Sequence, residues 1–308
     1  MGLIQEVKTI ARNRDWRGRV RTPRSATPYE LIADRVPFST SWARLPVTKA
    51  VRAGLQRGVL KPITWTTTRP RVEGLDYLDG LTGQAVFVAN HASHLDTPLI
   101  IGSLPTRLSA KLAVGAAADY FFDARWRAVV TALVFNAFPV DRHGGKRVRS
   151  ILPMLLDQGW SLLLFPESSR SQDGWMSPFR LGTAHVCCTR RIPAVPVALL
   201  GTFGAMPRGR RWPVPGRREV MVRYGRPLLP APDENARTFN ERLHTAVARL
   251  WAEEEIGWYR ALRSEPAAVR SRPAGPAGAE WRRIWESTRP LNEGRPVDTV
   301  WRVPGRER

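Results

Sequence analysis

The chain has only two cysteines, Cys187 and Cys188, and they are neighbours. Adjacent residues seldom reach disulfide geometry, so a disulfide framework and a cysteine-built metal site are both excluded. A reducing compartment fits. No apolar run approaches the roughly 18 residues of a spanning helix. The best one, Ala128–Val140, is stopped by Arg127 and Asp141. The N-terminus carries Glu6 and no long apolar stretch, unlike a secretory signal. Acidic residues are scarce: 27 Asp+Glu face 48 Lys+Arg, a net charge of +21. No G-x-S-x-G elbow is present, which argues against a serine nucleophile and an acyl-enzyme.

What is present is a chain of 308 residues, 43% of them hydrophobic, long enough for one large α/β domain with appendages. The positive charge is concentrated at the front. Residues 1–75 hold fifteen Lys/Arg and five Asp/Glu, so +10 of the +21 lies in this quarter. Such a field attracts nucleic acid, anionic lipid surfaces or phosphorylated ligands. A nucleic-acid binder would show a known module, or basic and aromatic residues interleaved on one surface. Neither is visible, so nucleic acid is not expected as the partner.

Residues 3–14 place Leu3, Ile4, Val7 and Ile10 at helical spacing among Lys8, Arg12 and Arg14, a short basic amphipathic segment. Residues 15–40 read as an irregular basic linker. From Thr48 to Leu60 a second helix is expected, with Val51, Leu55 and Val59 on one face and Lys49, Arg52 and Arg57 elsewhere. Both segments fit core-packing helices or membrane-contacting ones. From Ile63 the pattern turns to short apolar runs. Strands are expected at Ile63–Thr68, Val72–Leu78, Ala85–Ala89, Lys111–Val114, Ala137–Val140, Ser161–Phe165, Ala194–Leu200 and Glu219–Tyr224. Helices are expected at Thr97–Gly102, Ala124–Phe135, Lys146–Asp157, Leu181–Arg190 and Asp233–Glu255. This alternation predicts an α/β fold, a central mostly buried sheet flanked by helices. The expected division is 1–60 as a basic amphipathic membrane-contacting region, 61–262 as the catalytic domain, and 263–308 as a Pro/Arg-rich tail holding one apolar cluster, Trp281, Ile284 and Trp285.

The most informative segment is Asn90-His91-Ala92-Ser93-His94-Leu95-Asp96, where an apolar strand empties into a polar loop. Such strand ends are where α/β sheets place their sites. A histidine supplies a base of near-neutral pKa, and a carboxylate on its far nitrogen would orient it and stabilise its cation. His91 and Asp96, five apart, could meet across the turn. Further strand ends carry Phe138-Pro139-Val140-Asp141-Arg142 and Phe165-Pro166-Glu167-Ser168-Ser169-Arg170-Ser171, and Ile192-Pro193-Ala194-Val195-Pro196-Val197 opens a strand. Together they offer a base, a carboxylate and two arginines, the natural forks for a phosphate. His94 is expected to be solvated or structural, and His185 and His244 structural; His143 lies beside Arg142. His91 with His94 lacks the second cluster a metal site would need.

With these four blocks in this order, the sequence resembles the glycerolipid acyltransferases typified by lysophosphatidic acid acyltransferase. His91–Asp96 matches N-H-x-x-x-x-D, Phe138–Arg142 the block that usually ends in I-D-R, Phe165–Ser171 resembles F-P-E-G-T-R-S, and Ile192–Val197 the proline-bearing fourth block, across about residues 60–225. Ser168 and Ser169 stand where the family favours Gly and Thr, and residues 117–121 have no lysine where many members do. The resemblance implies an O-acyltransferase of phospholipid biosynthesis, with His91 and Asp96 catalytic and Arg142, Glu167, Ser168, Ser169 and Arg170 binding substrate. It implies acyl-CoA or acyl carrier protein as donor partner, a lysophospholipid acceptor, no cofactor, no metal, and a peripheral place on the cytoplasmic face of a membrane. The competing class is a non-catalytic lipid- or nucleic-acid-binding protein on the same fold.

Overall fold

The computed structural model describes residues 39–122, 124–140, 146–210 and 212–275; residues 119, 120 and 146–150 are described as backbone only. The segment 3–14 and the cluster of Trp281, Ile284 and Trp285 lie outside them. Seven strands follow in chain order: β1 (Thr68–Glu73), β2 (Val86–Ala89), β3 (Leu112–Ala117), β4 (Ala137–Val140), β5 (Ser161–Leu164), β6 (Ala194–Leu200) and β7 (Arg218–Tyr224). They form one sheet in the order β1-β7-β6-β2-β5-β3-β4. From β6 to β4 all neighbours run parallel. β7 turns antiparallel on β6 and carries β1 beside it in parallel.

The central strands are apolar without alternation, as strands covered on both faces must be. Successive side chains divide between two cores. Val86, Val88, Leu162 and Leu164 face the helices Gly182–Arg190 and Ala236–Ile256, packing with Cys187, Phe239, Leu243 and Val247. Phe87, Ala89, Leu163, Val195 and Val197 face the helix Asp96–Ser103, packing with Leu99, Ile100 and Tyr224. The Asn235 side chain caps the long helix, accepting from the backbone N–H of Arg237 and Thr238 at 3.0 Å.

Two expectations near the front need correction. Ile63–Thr67 is helical, not a strand: the helix Pro46–Leu55 continues through a π turn, Gln56–Leu60, into Lys61–Thr67. Pro62 has no N–H to give and would crowd the carbonyl four residues back, so the wider π turn lets the helix continue past it. Thr64, Thr67 and Thr68 donate their hydroxyls to the carbonyls four residues back, at 2.7, 2.7 and 2.6 Å, which accommodates a β-branched run within a helix. The region Val72–Leu78 is likewise split, its second half a 3-10 turn at Leu75–Leu78.

The sequence left open which face of that helix is inward. Val51 and Val59 are exposed, and Arg52 is buried. The Arg52 guanidinium donates to the carbonyls of Ala43, Ala132 and Leu133, and Gln56 donates to Val134 at 2.7 Å. Those of Ala132, Leu133 and Val134 are final-turn carbonyls of the helix Arg125–Phe135, groups with no intrahelical partner. A cation there also meets the negative end of the helix dipole.

Candidate active site

β2 and β5 are neighbours, so the loops leaving their C-terminal ends, 90–95 and 165–171, lie side by side. Asn90 ties the first of them down. Buried at the strand end, it donates to Leu199 O at 2.9 Å and accepts from Leu199 N at 2.7 Å, continuing the β2–β6 pairing with its side chain. Ser93, also buried, donates to Met206 O at 2.8 Å.

On this anchored loop His91 Nδ1 stands 2.8 Å from Asp96 Oδ2. The same oxygen accepts from Ala92 N at 2.7 Å and Ser93 N at 2.8 Å. Asp96 is fully buried as the first residue of its helix, where a carboxylate is favoured. An ionised carboxylate only accepts, so Nδ1 carries the proton and Nε2 keeps its lone pair. The ring stacks on Phe165, centroids 4.1 Å apart and planes 24° apart, and remains 19% exposed. The arrangement is an oriented imidazole whose side chain is part exposed.

Glu167 fixes the loop from the other side. Its Oε1 accepts from His91 N and its Oε2 from Ser177 N, each at 2.8 Å. Ser171 N donates to His91 O at 2.8 Å, so the two loops are stitched in both directions. Burial pushes the Glu167 carboxyl up to about 8, against the downward pull of the two backbone donors. Only 6% exposed, with each oxygen accepting from a backbone N–H, Glu167 ties the two loops together.

The remaining expected residues divide. Ser169 is exposed and Ser168 half-buried on the rim of the 165–171 loop. Ser168 takes φ +64°, the left-handed region that favours glycine, which is the residue preferred there by the family resembled. Arg170 lies close enough to His94 to lower its pKa, after burial, the larger cause; together they bring it to about 4 and keep the ring neutral. The His94 ring lies edge-on to Phe121 at 5.9 Å. His244 packs edge-on against Phe179 at 4.8 Å, far along the chain from these loops. Arg142 and His143 lie outside the described residues. Among the described residues no three His, Cys, Asp or Glu side chains group as metal ligands.

Sequence reasoning missed Asn90, Ser93, Phe165 and Ser177 as parts with distinct work. Asn90 and Phe165 were legible only as letters of their blocks. Ser177 acts through its backbone, which no side-chain pattern reveals.

The site is thus a His–Asp pair on one strand-end loop of a mostly parallel sheet, braced by a buried glutamate from the next. Residues 69–200 match the family model described as Acyltransferase. The chain is 28% identical over 153 residues to a 1-acyl-sn-glycerol-3-phosphate acyltransferase of Limnanthes douglasii, covering 47% of this chain and 50% of that one. It is 30% identical over 176 residues to one from Chlamydomonas reinhardtii, covering 56% and 50%. The chain therefore spans about half the length of the curated relatives it matches. The fold is shared with the crystal structure of the 1-acyl-sn-glycerophosphate acyltransferase PlsC from Thermotoga maritima, at a TM-score of 0.55 and 22% identity over 70% of this chain and 86% of that one.

Proposed function

We propose that the chain is an O-acyltransferase that moves a fatty acyl group from acyl-CoA or acyl carrier protein onto a lysophospholipid hydroxyl in phospholipid biosynthesis. The observation that carries this reading is the 2.8 Å contact of His91 Nδ1 with buried Asp96, which leaves Nε2 free on the open side. His91 Nε2 takes the proton of the acceptor hydroxyl as that oxygen attacks the thioester carbonyl. Asp96 stabilises the imidazolium that forms. The tetrahedral intermediate collapses, the C–S bond breaks, and the departing thiolate takes the proton from His91. One ester forms and one thiol leaves; no cofactor or metal enters the balance. Arg170, with Ser168 and Ser169 beside it and Arg142 beyond the described residues, is assigned to an anionic acceptor head group. Glu167 acts as a positioning residue for the His91 loop.

A lipid acceptor implies work at a membrane surface, and the cytoplasmic leaflet is the anionic one. Among the described residues no helix is long and apolar enough to cross a membrane. Residues 1–60 are proposed to dock on anionic lipid, each basic residue near the surface contributing on the order of 1 kcal/mol, weakened by salt.

Product mass spectrometry with acyl-CoA and a panel of lysolipid acceptors tests the chemistry. Purified His91→Ala is expected to lose roughly 10²–10⁴-fold in turnover, the range of general base catalysis. Near-normal turnover by that variant would sink the mechanism.

A further inference from the structure

The helix Arg125–Phe135 is amphipathic the wrong way round for a protein in water. Its inward face is Ala128, Thr131 and Ala132, all buried, while Trp126, Val129 and Val130 stand 66%, 41% and 50% exposed. A helix bathed in water buries its large apolar residues and shows small or polar ones. The helix it touches through Arg52 has the same inversion: Val47, Val51, Val59 and Ile63 are exposed, and Arg52 and Thr64 are buried. Two inverted helices in contact make an apolar surface that something must cover.

Charge selects the cover. The sequence holds no Asp or Glu from residue 39 to residue 72, nor from 124 to 140, while Arg125 and Arg127 flank the exposed indole. The Arg127 guanidinium stands over the Trp126 ring, 5.5 Å from its centroid. Pairing this face with a second copy would set cation against cation. An anionic leaflet accepts the apolar residues and neutralises the rim, and an indole with a guanidinium beside it is suited to the head-group layer. The helix also starts four residues after Phe121, whose ring meets that of His94, so the face adjoins the site.

We infer that the helix Arg125–Phe135 is a membrane-docking face in its own right, inserting Trp126, Val129 and Val130 into an anionic leaflet beside the mouth of the site. This rests on the acyltransferase reading only for its purpose, not for its evidence. The test is co-sedimentation of the full chain with phosphatidylglycerol/phosphatidylcholine vesicles, in low and high salt, for wild type and Trp126→Asp/Val130→Asp. Both positions are exposed, and an unchanged Tm verifies the fold of the variant. Apolar insertion resists salt, so the variant is expected to lose the salt-resistant binding, on the order of tenfold or more. Leu229→Asp, an exposed apolar residue elsewhere, should bind as wild type. Three results would each overturn the inference: equal binding by wild type and the double variant, no vesicle binding by wild type, or a wild-type dimer in solution that the double variant converts to monomer. Wild-type acyl transfer to a short-chain, fully dispersed lysolipid reports on the chemistry separately, whatever the vesicles do.

Discussion

Asp96→Asn isolates the charge of the His–Asp pair from its geometry. All three donors to Asp96 converge on one oxygen, Oδ2, while Oδ1 is buried with no protein partner. An asparagine in the same rotamer places its amide oxygen where Oδ2 stands and keeps all three acceptor bonds. Its NH2 falls where Oδ1 was. The loop therefore holds its shape and His91 keeps its proton on Nδ1, so what is lost is the counter-charge to the imidazolium. A hydrogen bond to a charged partner is worth about 1.5–3 kcal/mol against about 0.5–1.5 for a neutral one. A loss of about 1–1.5 kcal/mol in the transition state is roughly five- to thirteenfold in kcat. That is well short of removing the base. Free thiol release from acyl-CoA at saturating acceptor measures it, with Tm as the check on folding. Because Asp96 acts through His91, the double variant His91→Ala/Asp96→Asn should be no slower than His91→Ala alone. Asp96→Asn within twofold of wild type, or losses that multiply in the double variant, would refute the assignment.

Glu167 should leave a mark on stability against pH. Its folded carboxyl is raised to about 8, so between the unfolded value near 4.5 and about 8 the folded state binds the extra proton, and stability falls as pH rises through that window. Glu167→Gln removes that slope and, setting an NH2 against one of two backbone donors, weakens the grip on His91 N or Ser177 N; Tm measured from about pH 5 to pH 8 should slope less for the variant than for wild type, and parallel curves would contradict the role. Ser168→Gly relieves a left-handed residue, worth about 1–2 kcal/mol, and gives back about 0.5–1 in chain entropy. Tm should rise by about 1–3 °C with acyl transfer retained, and a lower Tm would show that the Ser168 side chain does more for the loop than its strain costs.

The parts of the site that were legible in the sequence are those whose chemistry and position coincide. His91, Asp96 and Arg170 carry functional groups and follow apolar runs that became β2 and β5, so strand and site were read from the same few residues. The order of strands was not legible. Parallel strands are joined by long crossovers, so β2 and β5 became neighbours through helices that contain no word of it. Adjacency of the two loops is nevertheless what makes the site, since it lets Glu167 reach the backbone of His91. The backbone contacts of Glu167 were not legible, because its partners are N–H groups that every residue has.

The facing of the helix at the front of the chain, which the sequence left open, has a different origin, and it bears on function. Periodicity locates an apolar stripe but assumes that water lies opposite it. For the helix from Pro46 to Thr67 that assumption fails: Arg52 goes inward because the carbonyls ending the helix Arg125–Phe135 need donors, and Val51 and Val59 are left outside. Burying a guanidinium is costly, and this burial lowers its pKa to about 10. In water the alternative of rotating the helix to bury the valines would compete. With lipid on the far side, the exposed valines cost nothing and the competition disappears. On the inferred membrane docking, the inward arginine and the outward tryptophan, one on each of two touching helices, would both follow from an apolar medium against this face.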